Sequence, residues 1–327
     1  MTVLVTGAAG FIGYHLSEKL LDRGEEVIGI DNMNTYYDVR LKEARLARLE
    51  RRPGFRLFRL EVQDREGVHA LVDDNPSITG IIHLAAQAGV RHSLVDPYSY
   101  IDANVMGQVV MLEAARRLPN LAHFVYASSS SVYGANTDMP FSIDQRVDRP
   151  VSLYAATKRA GELMARSYSH LYGLPTTGLR FFTVYGPWGR PDMAAYLFAE
   201  AMRNGRPIHV FNNGDMARDF TYIDDIVTGA LGALDHPATV GQDIVPARVY
   251  NLGNERTERL LDYIGAIETA LGVKAEMIME PMQAGDVKET SANIDASRRD
   301  LGFDPKTPIE VGIPLFIDWY KSYYGIA

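Results

Sequence analysis

The sequence predicts an α/β protein, a doubly wound parallel sheet accompanied by a smaller mixed α/β domain. Three observations carry this expectation. Across the first half, short apolar runs alternate with helix-length amphipathic segments, which is the pattern of parallel strands joined by helical crossovers. A glycine-spaced turn follows the first apolar run. From Tyr185 onward the pattern loosens into pieces punctuated by proline and glycine, such as Gly186-Pro187-Trp188-Gly189-Arg190-Pro191, before shorter helices and strands resume.

Taken in order, the expected strands are Val3 to Thr6, Val27 to Asp31, Phe55 to Leu60, Gly80 to Leu84 and His123 to Ala127. Each is bounded by turn residues or by an amphipathic helix. A long helical pattern from Ser152 to Tyr172 then leads into Thr176 to Phe182, which extends the same sheet. Later, Arg248 to Leu252 followed by Gly253-Asn254 reads as a return of the chain to that sheet. The expected organisation is therefore a first domain over residues 1–182, with a return at about 221–260, interleaved with a second domain built mainly from 183–327.

Composition narrows the function classes. The 327 residues are 46% hydrophobic, enough for a real core in each of two joined domains, and the net charge is −8. A chain of that charge has no broad positive field for a phosphate polymer or an anionic bilayer, so nucleic acid and membrane are not expected partners. The absence of cysteine removes disulfides, thiolate metal sites and thiol nucleophiles, and it suits a reducing compartment. Met1 leads straight into an apolar strand, and no stretch approaches the roughly 18 apolar residues of a membrane span, so a cytoplasmic location is expected.

The first strand runs into Gly7-Ala8-Ala9-Gly10-Phe11-Ile12-Gly13 and then a helix carrying Leu16, Leu20 and Leu21. Positions that turn tightly, let backbone approach a diphosphate and pack helix on strand all need a residue without a side chain. The helix N-terminus then offers free N–H groups to phosphate. Such spacing alone fits any glycine-rich turn. Here the second strand ends in Asp31, 18 residues past Gly13, where a carboxylate can accept hydrogen bonds from the adenosine ribose. That charge repels a 2′-phosphate, and Asn32 and Met33 bring no cation. The expected cofactor is NAD, held on a Rossmann-type sheet.

After the fifth strand comes Ser128-Ser129-Ser130-Ser131, and 25 residues past Ser129 comes Tyr154-Ala155-Ala156-Thr157-Lys158. Tyr and Lys at i and i+4 share a helix face, so the ammonium is expected to sit near the phenol and lower its pKa. Strand carboxyl ends are where ligands bind in open α/β sheets, which sets the serines beside the nicotinamide. A serine hydroxyl there can hold the reacting oxygen while the phenolate takes its proton.

These motifs together resemble the extended short-chain dehydrogenase/reductase family, in its NAD-dependent epimerase/dehydratase group, over nearly the whole chain. Three strings are similar to its UDP-glucuronate 4-epimerase branch: Asp31-Asn32 with Asn34-Thr35-Tyr36-Tyr37-Asp38, His83 through Arg91, and Arg180 through Met193. Glu61 departs from the family's more frequent Asp near the adenine. The resemblance implies reversible oxidation at sugar C4: Tyr154 takes the O4 proton while hydride passes to NAD, the 4-keto sugar turns over, and hydride returns to its other face. The resemblance gives Tyr154, Lys158, Ser129, Ser130 and Ser131 as catalytic. It gives Gly7, Gly10, Phe11, Ile12, Gly13, Asp31, Asn32, Glu61, Val62, Leu84, Ala85, Ala86, Gln87, Asn104 and Ser128, with Tyr154 and Lys158, as the NAD site. Gln87, Arg91, Ser129, Ser130, Thr183, Arg190, Arg218 and Asp286 are the implied substrate contacts. Arg190 and Arg218, both expected in loops, would hold the diphosphate, and Asp286 the uridine ribose.

A 4-keto glucuronate is a β-keto acid that can lose carbon dioxide, and neutral hydrogen bonds from Ser130, Ser131 and Thr183 would hold its carboxylate out of alignment. Acidic residues stand at Ser130 or Ser131 in related dehydratases and decarboxylases. UDP-glucose and UDP-N-acetylglucosamine remain alternative substrates, and a non-catalytic NAD(H) sensor is the alternative of another class. A homodimer pairing helices near Asp102 to Leu118 and Ser152 to Tyr172 is implied. Elsewhere, the arginines between Arg45 and Arg56 read as a solvated helix face. Asp224 and Asp225 read as helix caps. His83 has no partner at metal-ligand spacing, and no metal is expected.

Overall fold

The computed structural model describes residues 1–240, 245–283 and 285–326. Its main sheet has seven strands: β1 (Thr2–Thr6), β2 (Glu26–Ile30), β3 (Phe55–Phe58), β4 (Ile78–His83), β5 (His123–Ser129), β6 (Thr176–Phe181) and, after three strands outside the sheet, the returning β10 (Ala247–Leu252). Their spatial order is β10-β6-β5-β4-β1-β2-β3, and every neighbouring pair is parallel. The order reverses between β1 and β4, so the crevice beyond their carboxyl ends is where this topology holds a ligand.

Helices α1 (Phe11–Asp22), α2 (Val39–Leu49), α3 (Arg65–Asp74), α4 (Pro97–Tyr100), α5 (Gly107–Arg117) and α6 (Leu153–Tyr172) form the crossovers. They cover both faces of the sheet, which is why β1 is buried along its whole length rather than on alternate residues. Val3 and Val5 join one apolar cluster and Leu4 the other. At roughly 1.5–3 kcal/mol for each buried aliphatic side chain, these layers supply the main driving force for the fold.

The second half contributes β7 (Thr183–Tyr185), β9 (Ala217–Tyr222) and β11 (Thr257–Arg259) in one small sheet, and β8 (Ile208–Val210) with β12 (Met277–Met279) in another. Helices α7 (Ala194–Arg203), α8 (Ile223–Asp235), α9 (Leu260–Leu271), α10 (Asp295–Leu301) and α11 (Ile309–Tyr324) complete it. The first apolar cluster continues from Val5 and Leu179 through Ile226 and Phe303 to Phe316, so the halves share one core. Among the described residues no helix is long and apolar enough to cross a membrane.

Each expected strand is present, with shifted ends. Asp31 lies just past β2, whereas β5 runs on to Ser129 because Ser128 and Ser129 pair with Arg180 and Phe181 of β6. Helix α6 begins where expected, since the Ser152 hydroxyl accepts the Ala155 N–H at 3.1 Å, and it ends at Gly173, whose φ of +68° suits a residue without a side chain.

Three expectations fail. Arg45 is 0% exposed, not part of a solvated face, because α2 carries it inward between two loops. Arg218 lies on strand β9 and not in a loop. Neither Asp224 nor Asp225 caps its own helix, whose N-cap is Tyr222 with no side-chain cap bond. The Asp225 carboxylate instead accepts the N–H groups of Lys306 and Thr307 at 3.2 and 3.1 Å, fastening the approach to α11.

Candidate active site

The crevice opens into a cavity of about 1370 Å³, beyond the roughly 300–1,000 Å³ of a pocket for one drug-sized ligand. At its floor Gly7 has φ +72°, and a Cβ there would stand 3.0 Å from the Ala85 nitrogen. A Cβ on Gly13 would lie 2.1 Å from the Gly7 carbonyl oxygen. Gly10 begins α1 with no side-chain cap and no acid in the first turn, so the helix presents its amides and its positive end to the cavity lined by Phe11 and Ile12. That cradle suits a diphosphate.

At the end of β2 the Asp31 carboxylate accepts Ala9 N–H at 3.0 Å and Met33 N–H at 2.9 Å. Asn32 donates to Glu61 at 2.8 Å, and Val62 lines the same end. A cation absent from the local sequence also arrives here. Lys42 from α2 lies 4.0 Å from Asp31, with its ammonium donating to the Asn34 carbonyl and side-chain oxygens at 3.0 and 2.7 Å.

Across the crevice, the Thr6 hydroxyl accepts Leu84 and Ala85 N–H groups at 3.1 and 3.0 Å. Its own proton is then left for His83 Nδ1 at 2.7 Å, which makes His83 the neutral Nε2–H tautomer. Burial agrees, pushing its pKa down to about 3. Gln87 is buried, lines the cavity beside Ala86, and its Nε2 has no hydrogen-bond partner among the described residues, as expected of a group that meets a ligand.

Two expected cofactor contacts are placed differently, Asn104 outside the cavity and Ser128 in its lining with the hydroxyl turned away. Asn104, in a π-helical turn (Ile101–Met106), clamps the Gln87 backbone through both amide atoms at 2.8 and 3.0 Å and does not line the cavity. The Ser128 hydroxyl turns away to Glu162 at 2.7 Å. With these changes the glycine cradle, the Asp31 carboxylate and the open Gln87 amide fit a dinucleotide.

Ser129, Tyr154 and Lys158 converge in the cavity wall. The Lys158 ammonium donates to the Ala127 carbonyl at 3.0 Å and lies 6.0 Å from the centre of the Tyr154 ring. Burial brings its pKa down to about 8. Tyr154 is raised above the usual phenol value by burial, and the Ser129 hydroxyl and the Arg190 charge act against that rise. Arg190 is thus a second cation near the phenol, beside Lys158 over its ring. Ser129 also receives the Ser131 N–H at 3.1 Å at the start of a 3₁₀ turn (Ser130–Tyr133), and Ser130, Ser131 and Thr183 continue this hydroxyl wall.

Arg190 is held by Asp192 in a forked pair at 3.0 and 2.5 Å, and the Tyr36 hydroxyl donates to the same carboxylate at 3.2 Å. Burial works against its charge, but Asp192 outweighs it and keeps the pKa above the usual arginine value. Arg218 donates to Asp286 at 2.7 Å, and Arg91 reaches the other oxygen of Asp286 at 3.7 Å while lying 4.8 Å over the Phe211 ring. The structure thus separates the two arginines expected on the diphosphate: Arg190 stands at the reacting centre and Arg218 with Arg91 in a second cluster. Tyr36, Lys42 and Asp192 were missed from the sequence. Only Asp192 had a local signal, as an acid two residues from an arginine.

Behind the serine wall lies a buried polar network. Glu162 accepts Ser128 at 2.7 Å, Arg180 at 2.8 and 2.9 Å and Arg159 at 2.8 Å, and Arg180 donates on to the Tyr133 hydroxyl at 3.0 Å. Glu162 is one turn beyond Lys158 on α6, so the pair fixes the helix against β5 and β6.

Comparisons with known proteins agree with this geometry. UDP-glucuronate 4-epimerase 4 of Arabidopsis thaliana is 49% identical over 99% of this chain and 76% of its own length. A probable UDP-glucuronate 4-epimerase of Rhizobium meliloti is 45% identical over 100% of this chain and 99% of its own. The crystal structure of UDP-glucuronic acid 4-epimerase from Bacillus cereus, in complex with UDP-glucuronic acid and NAD, superposes with a TM-score of 0.91 at 34% identity, covering 99% and 100% of the two chains. Residues 3–253 match the model of the NAD dependent epimerase/dehydratase family, and the chain belongs to that family.

Proposed function

We propose that this protein is an isomerase that interconverts UDP-glucuronate and UDP-galacturonate at C4, with NAD as a resident cofactor. The observation that carries the substrate is the wall facing Tyr154, where the neutral hydroxyls of Ser130, Ser131 and Thr183 stand with the Arg190 cation. A sugar carboxylate fits hydroxyl donors and an arginine, and no acid occupies the two serine positions. Bound NAD supplies a reversible hydride acceptor for C4.

The chain's own residues do the rest. Ser129 holds the reacting oxygen and Tyr154 exchanges its proton. Lys158, donating to Ala127, keeps a positive charge beneath the phenol. Arg190 serves the carboxylate end, whereas Arg218 and Arg91 take the diphosphate and Asp286 the uridine ribose. Gly7 to Gly13, Asp31, Asn32, Glu61 and Val62 hold the cofactor, with residues 1–182 and the return at 221–260 as its domain and 183–327 mainly serving the sugar nucleotide.

We further propose a cytoplasmic homodimer. Leu163, Leu171 and Tyr172 of α6 and Met106 before α5 expose apolar surface on the helices assigned to that interface.

The deciding experiment incubates the purified protein with UDP-glucuronate, UDP-glucose and UDP-N-acetylglucosamine in parallel and identifies products by NMR. UDP-galacturonate without a pentose product is the expected result, and turnover of a neutral sugar alone would overturn the substrate. Tyr154→Phe should abolish turnover and retain NAD. A sensor would leave the wild type without turnover on all three sugars.

A further inference from the structure

We propose that Arg45 is a positioning residue that locks the loop carrying Arg190 onto the cofactor-binding loop, so that the two halves of the reacting centre move as one piece. This rests on the C4-epimerase reading above. Arg45 is fully buried on α2, touches no reacting group, and among the described residues has no ion pair. One guanidinium nitrogen donates to the Ala9 carbonyl at 2.9 Å and the Tyr37 hydroxyl at 2.8 Å. The other donates to the Trp188 carbonyl at 2.6 Å and the Gly189 carbonyl at 3.3 Å. Ala9 lies inside the glycine turn and gives its own N–H to Asp31, while Gly189 immediately precedes Arg190. A single side chain therefore joins the diphosphate cradle and the ribose carboxylate to the cation at Tyr154.

Two features argue that the joint is built for position. A buried cation without a carboxylate is a costly way to stabilise a core. The planar fork of arginine is the side chain that can reach both loops at once, whereas an ammonium offers one nitrogen. The loop itself also resists this shape. Trp188 has φ +60°, a strained conformation for a residue with a large side chain, so the turn persists only where neighbours hold it. His15 on α1, kept neutral by burial with its pKa down to about 4, donates to the Pro187 carbonyl at 2.9 Å, and Arg48 lies 5.6 Å over the Trp188 ring. These neighbours anchor the outside of the loop. Arg45 alone among them reaches the glycine turn.

The test compares Arg45→Met and Arg45→Lys with the wild type for bound NAD, melting temperature, kcat and KM on UDP-glucuronate, and absorbance of reduced cofactor during turnover. A misplaced Arg190 should lower kcat by about tenfold to a hundredfold, in line with the cost of roughly an ångström of misplacement at a reacting centre. KM and bound NAD should change little. Reduced cofactor should accumulate, because the oxidised sugar waits longer for the return step, and Arg45→Lys should recover only part of the rate. Folded Arg45→Met with wild-type kcat and no reduced cofactor would overturn the proposal. So would loss of NAD and stability in both variants with unchanged turnover per bound NAD, which is what a merely structural arginine gives.

A second readout stands apart from the substrate. In a Trp319→Phe background Trp188 is the one remaining tryptophan. Its emission should respond to NAD when Arg45 is present and lose that response in Arg45→Met. If the wild type turns over none of the sugars but this response behaves as expected, the function fails while the coupling stands. A response unchanged in Arg45→Met refutes the coupling.

Discussion

Replacing Glu162 with Gln tests whether the network behind the serine wall sets the catalytic face of α6. In the protein both carboxylate oxygens are used twice: Oε1 by Ser128 and Arg180 Nε, Oε2 by Arg180 Nη2 and Arg159 Nη1, all at 2.7–2.9 Å. An amide keeps one oxygen, so whichever way it turns its NH₂ faces at least one guanidinium donor, and outside residue 162 Arg180 keeps only the Tyr133 hydroxyl as a hydrogen-bond partner among the described residues. Both side chains are almost wholly buried, at 3% and 1% exposure, so water cannot take over the lost bonds. Breaking such a pair from one side costs about 3–5 kcal/mol. With an unfolding entropy of about 2.1 cal/mol/K per residue, a chain of this length converts that into a fall of about 4–7 °C in melting temperature. The assay is thermal unfolding followed by circular dichroism at saturating NAD, because cofactor loss alone would lower the melting temperature by mass action. The double variant Glu162→Leu/Arg180→Met removes both charges and should recover at least part of the loss. A melting temperature within about 1 °C of wild type for Glu162→Gln, or a double variant weaker than the single, would refute the reasoning.

Lys158→Met should raise the melting temperature of the nucleotide-free protein at pH 7, because it removes a buried charge. Since the Lys158 pKa falls from 10.5 unfolded to about 8 folded, the wild type sheds that burden as pH rises through this window. The advantage of the variant should therefore shrink between pH 8 and 10.5, and a constant advantage in melting curves across that range would contradict the assignment. Gly13→Ala puts a Cβ against backbone at 2.1 Å, so bound nucleotide, measured by absorbance after denaturation, should be lost even where the protein still folds. The paired change Leu163→Glu/Leu171→Glu sets charge on the exposed face of α6 and should give a monomer by light scattering. An unchanged mass would move the interface elsewhere.

What was legible in the sequence is what local geometry dictates. The glycine turn is read from steric demand at consecutive positions, Tyr154 and Lys158 from helical spacing, and the sheet from alternation of strand and helix. Asp31 was legible because β2 must end beside the first turn. The features that escaped are contacts between segments far apart in the chain. Lys42 arrives beside Asp31 from another helix, Asn104 reaches back to the Gln87 backbone, and Arg218 was taken for a loop residue because β9 is held by partners on either side that are remote in sequence.

Arg45 escaped for a different reason, and here a signal was present. It stands four residues after Leu41 and four before Leu49, both buried, so helical periodicity puts it on the apolar face of α2 and not on the solvated one. An arginine run interleaved with leucine invites averaging over the whole segment, which hides the one member that shares the leucines' face. An arginine at a core position must find acceptors for its N–H groups, and on α2, packed beside the glycine turn, both terminal nitrogens find them in loop carbonyls and the Tyr37 hydroxyl while Nε has none among the described residues. Periodicity applied residue by residue thus marks Arg45 as a buried arginine in need of acceptors. Arg48, seven residues past Leu41 at the edge of that face, and Arg52, beyond the end of α2, are solvent-accessible, with side chains 54% and 36% exposed.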